Sequence, residues 1–320
     1  MMDTGREELR KIGTEKERFF SKMTKAIGAA PVLYIMAAFT VSWAIIFHYI
    51  PMYGILLAFK KFDLSEGFFG GKWIGLKNYV LFFKDVYAFR IIKNTVVLGF
   101  YQLLFGFPAP IIFVLLLNEI RNMGFKRTFQ SLSYLPHFVS TVVIVGIIFQ
   151  LFSYNHGALK DLITWVTGMD KNWLTESGAF RPIYVISGIW QQLGWGTIIY
   201  LAALTGINPE LYENADIDGV NRFQKVIYIT IPALIPTISI LFILNTQQIV
   251  RVGFEKAYLL QNPATYETSD VIATYVYRRG IEKLQYSYAT AVGFLNSVVA
   301  LLIVLISHWI VRKIRGEGLW

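Results

Sequence analysis

The chain has no cysteine, which excludes disulfides, cysteine-ligated zinc and thiol catalysis and leaves the redox compartment open. It is also short of charge: Asp, Glu, Lys and Arg together make up 16%, against about 25% in ordinary globular proteins. Its histidines, His48, His137, His156 and His308, show neither His-x-x-x-His nor Glu-x-x-His spacing, so no metal site is expected. A phosphate-binding loop is missing too. The pattern Gly-x-x-x-x-Gly-Lys-Ser/Thr occurs nowhere; Gly71-Lys72 is followed by Trp73 and has Glu66 where the first glycine belongs. No cofactor is expected on this chain, and no cluster of His, Asp or Glu suggests an enzyme's active centre.

Apolar side chains take the place of the missing charge. Hydrophobic residues reach 55% and aromatics 16% of the 320 residues. A spanning helix needs roughly 20 mostly apolar residues, because every backbone polar group must find its partner without water. Six stretches qualify, at about residues 31–57, 95–117, 136–152, 183–204, 233–252 and 289–311. The expected fold is therefore an all-α integral membrane protein with six transmembrane helices. The formal charge of +9 does not point to nucleic acid. A nucleic-acid binder gathers Lys and Arg on one soluble face, whereas here they lie between apolar runs and read as topology and contact with anionic lipid.

An even number of spans puts both termini on one side. The N-terminal tail carries Arg6, Arg10, Lys11, Lys16, Arg18, Lys22 and Lys25, and the C-terminal tail Arg312, Lys313 and Arg315, which favours a cytoplasmic location for both. Summed over every loop, the 30 Lys and Arg divide evenly between the two sides; only the short tails beside spans inform, since long loops cross regardless of charge. The apolar run from Pro31 is too long for a signal-peptide core and has Ala29 and Ala30 before it instead of after it, so it is expected to remain as an anchor. Residues 1–30, with Leu9, Ile12, Phe19, Phe20, Met23 and Ile27 among charges, read either as an amphipathic helix on the inner membrane surface or as a solvated tail. Residues 31–311 form the membrane domain and 312–320 a cytoplasmic tail.

The most informative segment is the connection 206–232. It is too polar and too punctuated to span. Asn208 before Pro209 is an N-cap followed by proline at the first helical position, and Glu210 and Glu213 sit where the helix dipole favours acids. Gly219 can take the left-handed conformation that ends a helix. These signals predict a short helix from Pro209 to about Asp218, about 15 Å long, and a second helical stretch after Asn221 with Phe223, Val226 and Ile227 at helical spacing. Local physics leaves two readings: an ordinary capped helix in a loop, or a rigid acidic knob that transmits force to a partner.

Glu213, Ala215, Gly219, Ile229 and Pro232 resemble the "EAA" loop that marks permeases of binding-protein-dependent ABC importers: Glu-Ala-Ala, a glycine four residues after the second alanine, then Ile-x-x-Pro. Asn214 departs from the usual alanine, and Asp218 before Gly219 is usual. The segments IPMYGILLAFKKFD, WIGLKNYVLFF and FEKAYLLQNPATYETSDVIATYVYRRG are similar to permeases of the lipoprotein and polysaccharide transport type within the carbohydrate-uptake importers, and the likeness covers most of the chain from about Tyr34. It implies a type I importer permease (MetI-like) fold in the bacterial plasma membrane. Residues 206–232 would form a cytoplasmic coupling helix, with Glu213, Ala215, Asp218, Gly219, Ile229 and Pro232 at the ATPase contact. The implied partners are a second, homologous permease making a heterodimer, two ATPase subunits carrying ATP and Mg, an extracellular substrate-binding lipoprotein docked on residues 58–94 and 253–288, and an oligosaccharide.

Polar groups inside spans are costly and face a cavity or a neighbouring helix. Trp190, Gln191, Gln192, Trp195, Asn245, Gln247, Gln248 and Asn296 are the candidates for a translocation path; amides suit sugar hydroxyls and aromatics suit sugar ring faces. Interhelical hydrogen bonding is the competing explanation for each. Arg251, at the outer end of the fifth span, can snorkel to water and needs no functional reading. Pro108 and Pro110 are expected to kink the second span. The rival function is an ion-coupled secondary transporter, which would bury acidic or basic coupling groups at mid-span; the six stretches hold no Asp, Glu or Lys, and no Arg except Arg251. With no nucleotide loop present, the purified chain alone is expected to hydrolyse no ATP; turnover in a preparation free of contaminating ATPase would refute that.

Overall fold

The computed structural model describes residues 28–67 and 70–315. The proposed amphipathic character of residues 1–30 falls almost wholly outside the described residues, as does the end of the C-terminal tail. The chain divides into two units, one up to Leu56 and one from Leu57 onward.

The first unit is a single helical run. Helix α1 (Pro31–Ala44) has proline at its first turn, where the missing amide hydrogen costs nothing. It continues through a wide π turn, Ile45–Tyr49, into a tighter stretch, Ile50–Phe59, whose last residues belong to the second unit. Leu33, Ile35, Phe39 and Phe47 are all exposed. A helix that is apolar all round and exposed is built for a solvent of lipid.

The second unit begins with a two-residue ladder, β1 (Lys60–Lys61) against β2 (Lys72–Trp73), followed by α2 (Lys77–Lys84) and α3 (Ala88–Tyr101). A π turn, Gln102–Gly106, leads from α3 into α4 (Pro108–Asn118). Thus 88–118 is one continuous helix of 31 residues. The expected proline kink falls where the turn is widened, just before Pro108. The same device recurs: the π turns Ile45–Tyr49, Gln102–Gly106 and Val226–Thr230 each end two residues before a proline, at Pro51, Pro108 and Pro232. A proline ring collides with the carbonyl four residues back and offers that carbonyl no hydrogen, and each wide turn falls on the residues just before the ring. At the third of these, the Ile231 amide reaches Val226 O.

The third stretch differs from its sequence reading. Instead of one span over 136–152, α5 (Met123–Tyr134) runs through the turn Leu135–Phe138, and α6 (Thr141–Leu151) leaves it at 100°. Val139 and Ser140 are extended, and Ser140 Oγ caps the new helix by accepting from the Val143 amide at 3.4 Å. At 1.5 Å per residue α6 is about 16 Å long, half a bilayer core. Helix α7 (Ala158–Thr167) then leads to α8 (Ser177–Thr205), which has 29 residues. Its length suffices to span, but Arg181, Gln191, Gln192 and several Ser and Thr dilute it. Among the described residues four helices are both long and apolar enough to cross a membrane: Pro31–Phe59, Ala88–Asn118, Arg222–Ile249 and Tyr286–Lys313, or five with the bent pair. Length and composition therefore do not reach the expected six.

After α8 come two short helices, α9 (Pro209–Ile217) and α10 (Arg222–Lys225), then α11 (Ile231–Thr246). Three more short helices follow, α12 (Phe254–Leu260), α13 (Tyr266–Ser269) and α14 (Ile272–Tyr277), before the long α15 (Tyr286–Arg315). One apolar core joins Leu98, Ile144, Ile148, Tyr184, Ala257 and Val271, so that α12 and Val271, just before Ile272–Tyr277, are pinned against α3, α6 and α8. A second core, with Phe82, Ile91, Tyr275 and Val292, closes α2, α3, α14 and α15 together.

Lipid tails are as apolar as leucine, so helices in a membrane associate by close packing. Gly194 on α8 lies against the Ser133 backbone of α5, and a Cβ there would overlap the Ser133 carbonyl. Gly99 on α3 lies in the same way against the carbonyls of Gln248 and Ile249. Gly146 and Gly293 have open space. Gly99→Ala and Gly194→Ala are each expected to destabilise by about 1–3 kcal/mol, as overpacking does, lowering the melting temperature of the detergent-solubilised protein. Gly146→Ala and Gly293→Ala serve as controls and should not lower it; equal melting of all four variants would contradict the close-packing account.

Candidate functional site

Two features carry chemical information, a capped loop at one end of α8 and a cavity along its middle. In the loop, Asn208 Oδ1 accepts from the Glu210 amide at 3.1 Å and starts α9, with Pro209 at its first position. The far end closes with paired bonds, Gly219 N to Asp216 O at 3.2 Å and Val220 N to Ala215 O at 2.9 Å. That arrangement requires a left-handed residue, and Gly219 has φ +72°. A Cβ on Gly219 would meet nothing within 4 Å, so the glycine answers to backbone conformation and not to space. Asn221 and Gln224 form a reciprocal capping box that starts α10.

Side chains make the two helices one body. Tyr212 Oη and Thr230 Oγ1 are 2.9 Å apart, Asp216 pairs with Lys225, and Ala215 is buried between them. Ile229 is half-buried beside Thr230, while Pro232 is exposed at the start of α11. Glu213 and Asp218 are exposed and, among the described residues, form no hydrogen bond or ion pair within the chain, so they do not hold the loop together. Leu211, Ile217, Phe223 and Tyr228 are exposed around them. The loop thus presents free acids on an apolar, rigid knob.

The cavity has a volume of about 800 Å³, within the range of sites for small molecules, about 300–1,000 Å³. Gln102, Gln191, Asn245 and Gln248 line it, together with Gln192, Gln247 and Arg251. Asn245 Nδ2 spends itself on Leu241 O at 2.8 Å, and its Oδ1 accepts from Gln248 Nε2 at 3.4 Å. Gln191 Nε2 donates to Val139 O at 3.4 Å. The carbonyl oxygens of Gln191 and Gln248 keep no protein partner, and Gln102 Oε1 is buried without one. Amide groups with unused capacity facing a cavity suit a ligand rich in hydroxyls.

The structure brings Gln191, Gln192, Asn245, Gln247 and Gln248 together around this cavity and places the other three candidates elsewhere. Trp190 lies on a second, apolar groove with Ile144, Ile183 and Trp173. Trp195 stacks on His137 with ring centroids 4.3 Å apart, and His137 Nδ1 lies 3.1 Å from Gln192 Oε1. Asn296 donates to Val250 O at 3.0 Å and ties α15 to the end of the fifth stretch.

Sequence reasoning missed the polar clamp that joins the two long connections 58–94 and 253–288. Asp270, 1% exposed, accepts both of its oxygens' bonds from Arg278 Nη2 at 2.7 Å, with Arg90 at 3.7 Å. Asn94 donates to Asp270 O at 3.1 Å and to Glu267 O at 2.9 Å, and itself accepts from Arg181 at 2.8 Å. Nearby, Arg279 and the Tyr275 hydroxyl each donate to Asp85 Oδ2 at 2.6 Å. Burial pushes the Asp85 carboxyl up, but the bonds from Tyr275, the Tyr87 amide and Arg279 outweigh it and hold the group below its ordinary 3.8. The pair therefore stabilises the fold above the carboxylate range and is lost only as pH falls through the depressed value. Partners separated by more than 170 residues leave no periodic signal in a sequence.

The chain resembles known proteins along nearly its whole length. Protein LplB of Bacillus subtilis (strain 168) is 40% identical over 288 residues, covering 90% of this chain and 91% of the relative. The polygalacturonan/rhamnogalacturonan transport system permease protein YteP of the same organism is 39% identical, with 90% of each covered. A chain of a bacterial alginate ABC transporter, crystallised with an alginate pentasaccharide-bound periplasmic protein, superposes with a TM-score of 0.84 at 40% identity, covering 92% of this chain and 99% of that one. Residues 87–316 match the family described as binding-protein-dependent transport system inner membrane components. These are transporter subunits and not enzymes, and with its several apolar helices this multi-pass membrane chain belongs to the family of inner membrane components of binding-protein-dependent transport systems.

Proposed function

We propose that the chain is the permease subunit of an ATP-driven sugar importer and forms half of the translocation path for an oligosaccharide. The observation that carries this is the likeness, at 40% identity and over 92% of the chain, to a permease of a transporter solved with an oligosaccharide-loaded periplasmic protein. YteP supports the same reading from sequence.

In this reading six segments cross the membrane. The four long apolar helices supply four; the bent pair α5–α6 and the 29-residue α8 supply the others. Helix α8 tolerates its glutamines because they face a cavity instead of lipid. Both termini lie in the bacterial cytoplasm, and 31–311 form the permease domain. The knob 206–232 then faces the cytoplasm as a coupling helix, seated on one of two ATPase subunits that bind ATP and Mg. Its free Glu213 and Asp218 and its exposed Leu211, Ile217 and Phe223 support that role, since none is needed to hold the loop itself. A second, homologous permease completes the path. The clamped surface formed by 58–94 and 253–288 receives the substrate-binding lipoprotein outside the cell.

Two consequences are measurable. Glu213→Lys, which reverses a free acid, and Gly219→Asp, which strains a left-handed residue, should uncouple ATP hydrolysis from uptake while the protein still inserts. Normal transport by both variants would remove the coupling assignment. Within the cavity, Gln248→Ala should change the uptake rate or apparent affinity for sugar several-fold, and unchanged kinetics would take Gln248 out of the path.

A further inference from the structure

One wall of the cavity holds a buried cation that forms no ion pair among the described residues. Lys256, in the first turn of α12, is 8% exposed. It takes part in none of the ion pairs of the described residues. Its single hydrogen bond runs from Nζ to Tyr184 O at 3.1 Å, and the ammonium lies 5.1 Å from the centroid of the Tyr184 ring. An ammonium has three donors, so two remain unused by protein. The apolar core beneath, with Tyr184, Val252 and Ala257, closes one side of the ammonium and leaves the cavity as the side from which it can be reached. Burial pulls the ammonium down to about 8 from its ordinary 10.5; it is still mostly charged at neutral pH.

The surroundings leave room for a ligand at that charge. A Cβ on Gly188 would lie 3.5 Å from Lys256 Nζ and 3.9 Å from Gln102 Nε2, so the glycine keeps the space before both groups open. Gly188, Gln102 and Lys256 all line the cavity. Arg251 lines it as well and is exposed, which gives the snorkelling arginine of the sequence a place on the rim. Glu255 is the acid on the same lining; it is exposed and pairs with neither cation.

A buried, unpaired ammonium is expensive, and the expense is recovered only when an anion arrives with good geometry. A neutral sugar would leave the charge uncompensated. A carboxylate would replace the lost hydration and use the free donors. Resting on the importer reading above, we propose that the transported oligosaccharide carries carboxylates, as a chain of uronic acid units does, and that Lys256 is the fixed cation that receives them, with Arg251 at the cavity rim.

The test uses the complete transporter, with its partner permease, ATPases and binding protein, reconstituted in vesicles. Oligogalacturonate, oligomannuronate and neutral oligosaccharides of the same length serve as probes. Uptake should be confined to a uronate. Lys256→Met should slow that uptake at least tenfold, Lys256→Arg should keep it within about threefold, and Gly188→Leu, which fills the space while leaving the charge, should also slow it. Because the binding protein selects too, the deciding quantity is the ratio between variants for one uronate. Wild-type rates in an assembled Lys256→Met transporter would overturn the proposal, and so would import of neutral oligosaccharides alone, which would leave the importer reading intact. If Lys256→Met does not assemble, normal uronate uptake by Gly188→Leu overturns it. Absence of uptake for every probe would remove the importer reading and this proposal with it.

Discussion

A backbone amide in hydrocarbon has no partner except its own helix, and most of this structure is arranged around that fact. It makes the spans helical, and it makes each proline within them a local problem. Before Pro51, Pro108 and Pro232 the chain places a wide π turn, which keeps the helix running up to the ring. The same constraint governs where helices can touch. With no hydrophobic gain available between helices in lipid, contact must come from close approach, and Gly99 and Gly194 let α3 and α8 reach the backbones of their neighbours.

Where the chain leaves the apolar runs, the physics changes. The two long connections carry carboxylates drawn out of solvent, Asp270 and Asp85, and both are matched: Asp270 by Arg278 and Arg90, Asp85 by Arg279. A matched, hydrogen-bonded cluster contributes rigidity, and here it locks α3 to the segment after the fifth stretch. Against that background Lys256 stands apart. It is as buried as the members of the clamp and lies on the cavity wall, yet it has only a backbone carbonyl and a ring face for company. Among the described residues Asp270, Asp85 and Lys160 are paired while Lys256 beside the cavity is not, which leaves that position for a solute.

Much of the loop 206–232 could be read in advance because its signals are local. Asn208-Pro209 caps a helix, Gly219 ends it, and Asn221 starts the next, and each does so through neighbours within a few residues. The third stretch was misread for a complementary reason. Its apolar count over 136–152 is real, but Pro136 and the capping Ser140 divide it, and hydropathy does not register the turn between. Helix α8 shows the opposite case: its periodic polar residues lower its apolar score, and whether Gln191 faces a cavity or a neighbour depends on helices over 50 residues away.

Apolar length, capping chemistry and the spaced residues of the loop from Glu213 to Pro232 are properties of short windows, so the chain's class, its helical runs and its family resemblance are legible in one dimension. The cavity is not. Gln102, Gln191, Gln248 and Lys256 come from four separate segments, and they share a wall only because Gly99, Gly194 and the Asp270 clamp set how those segments pack. Burial, which turns an ordinary surface lysine into an uncompensated charge, is a property of the neighbours and not of the residue.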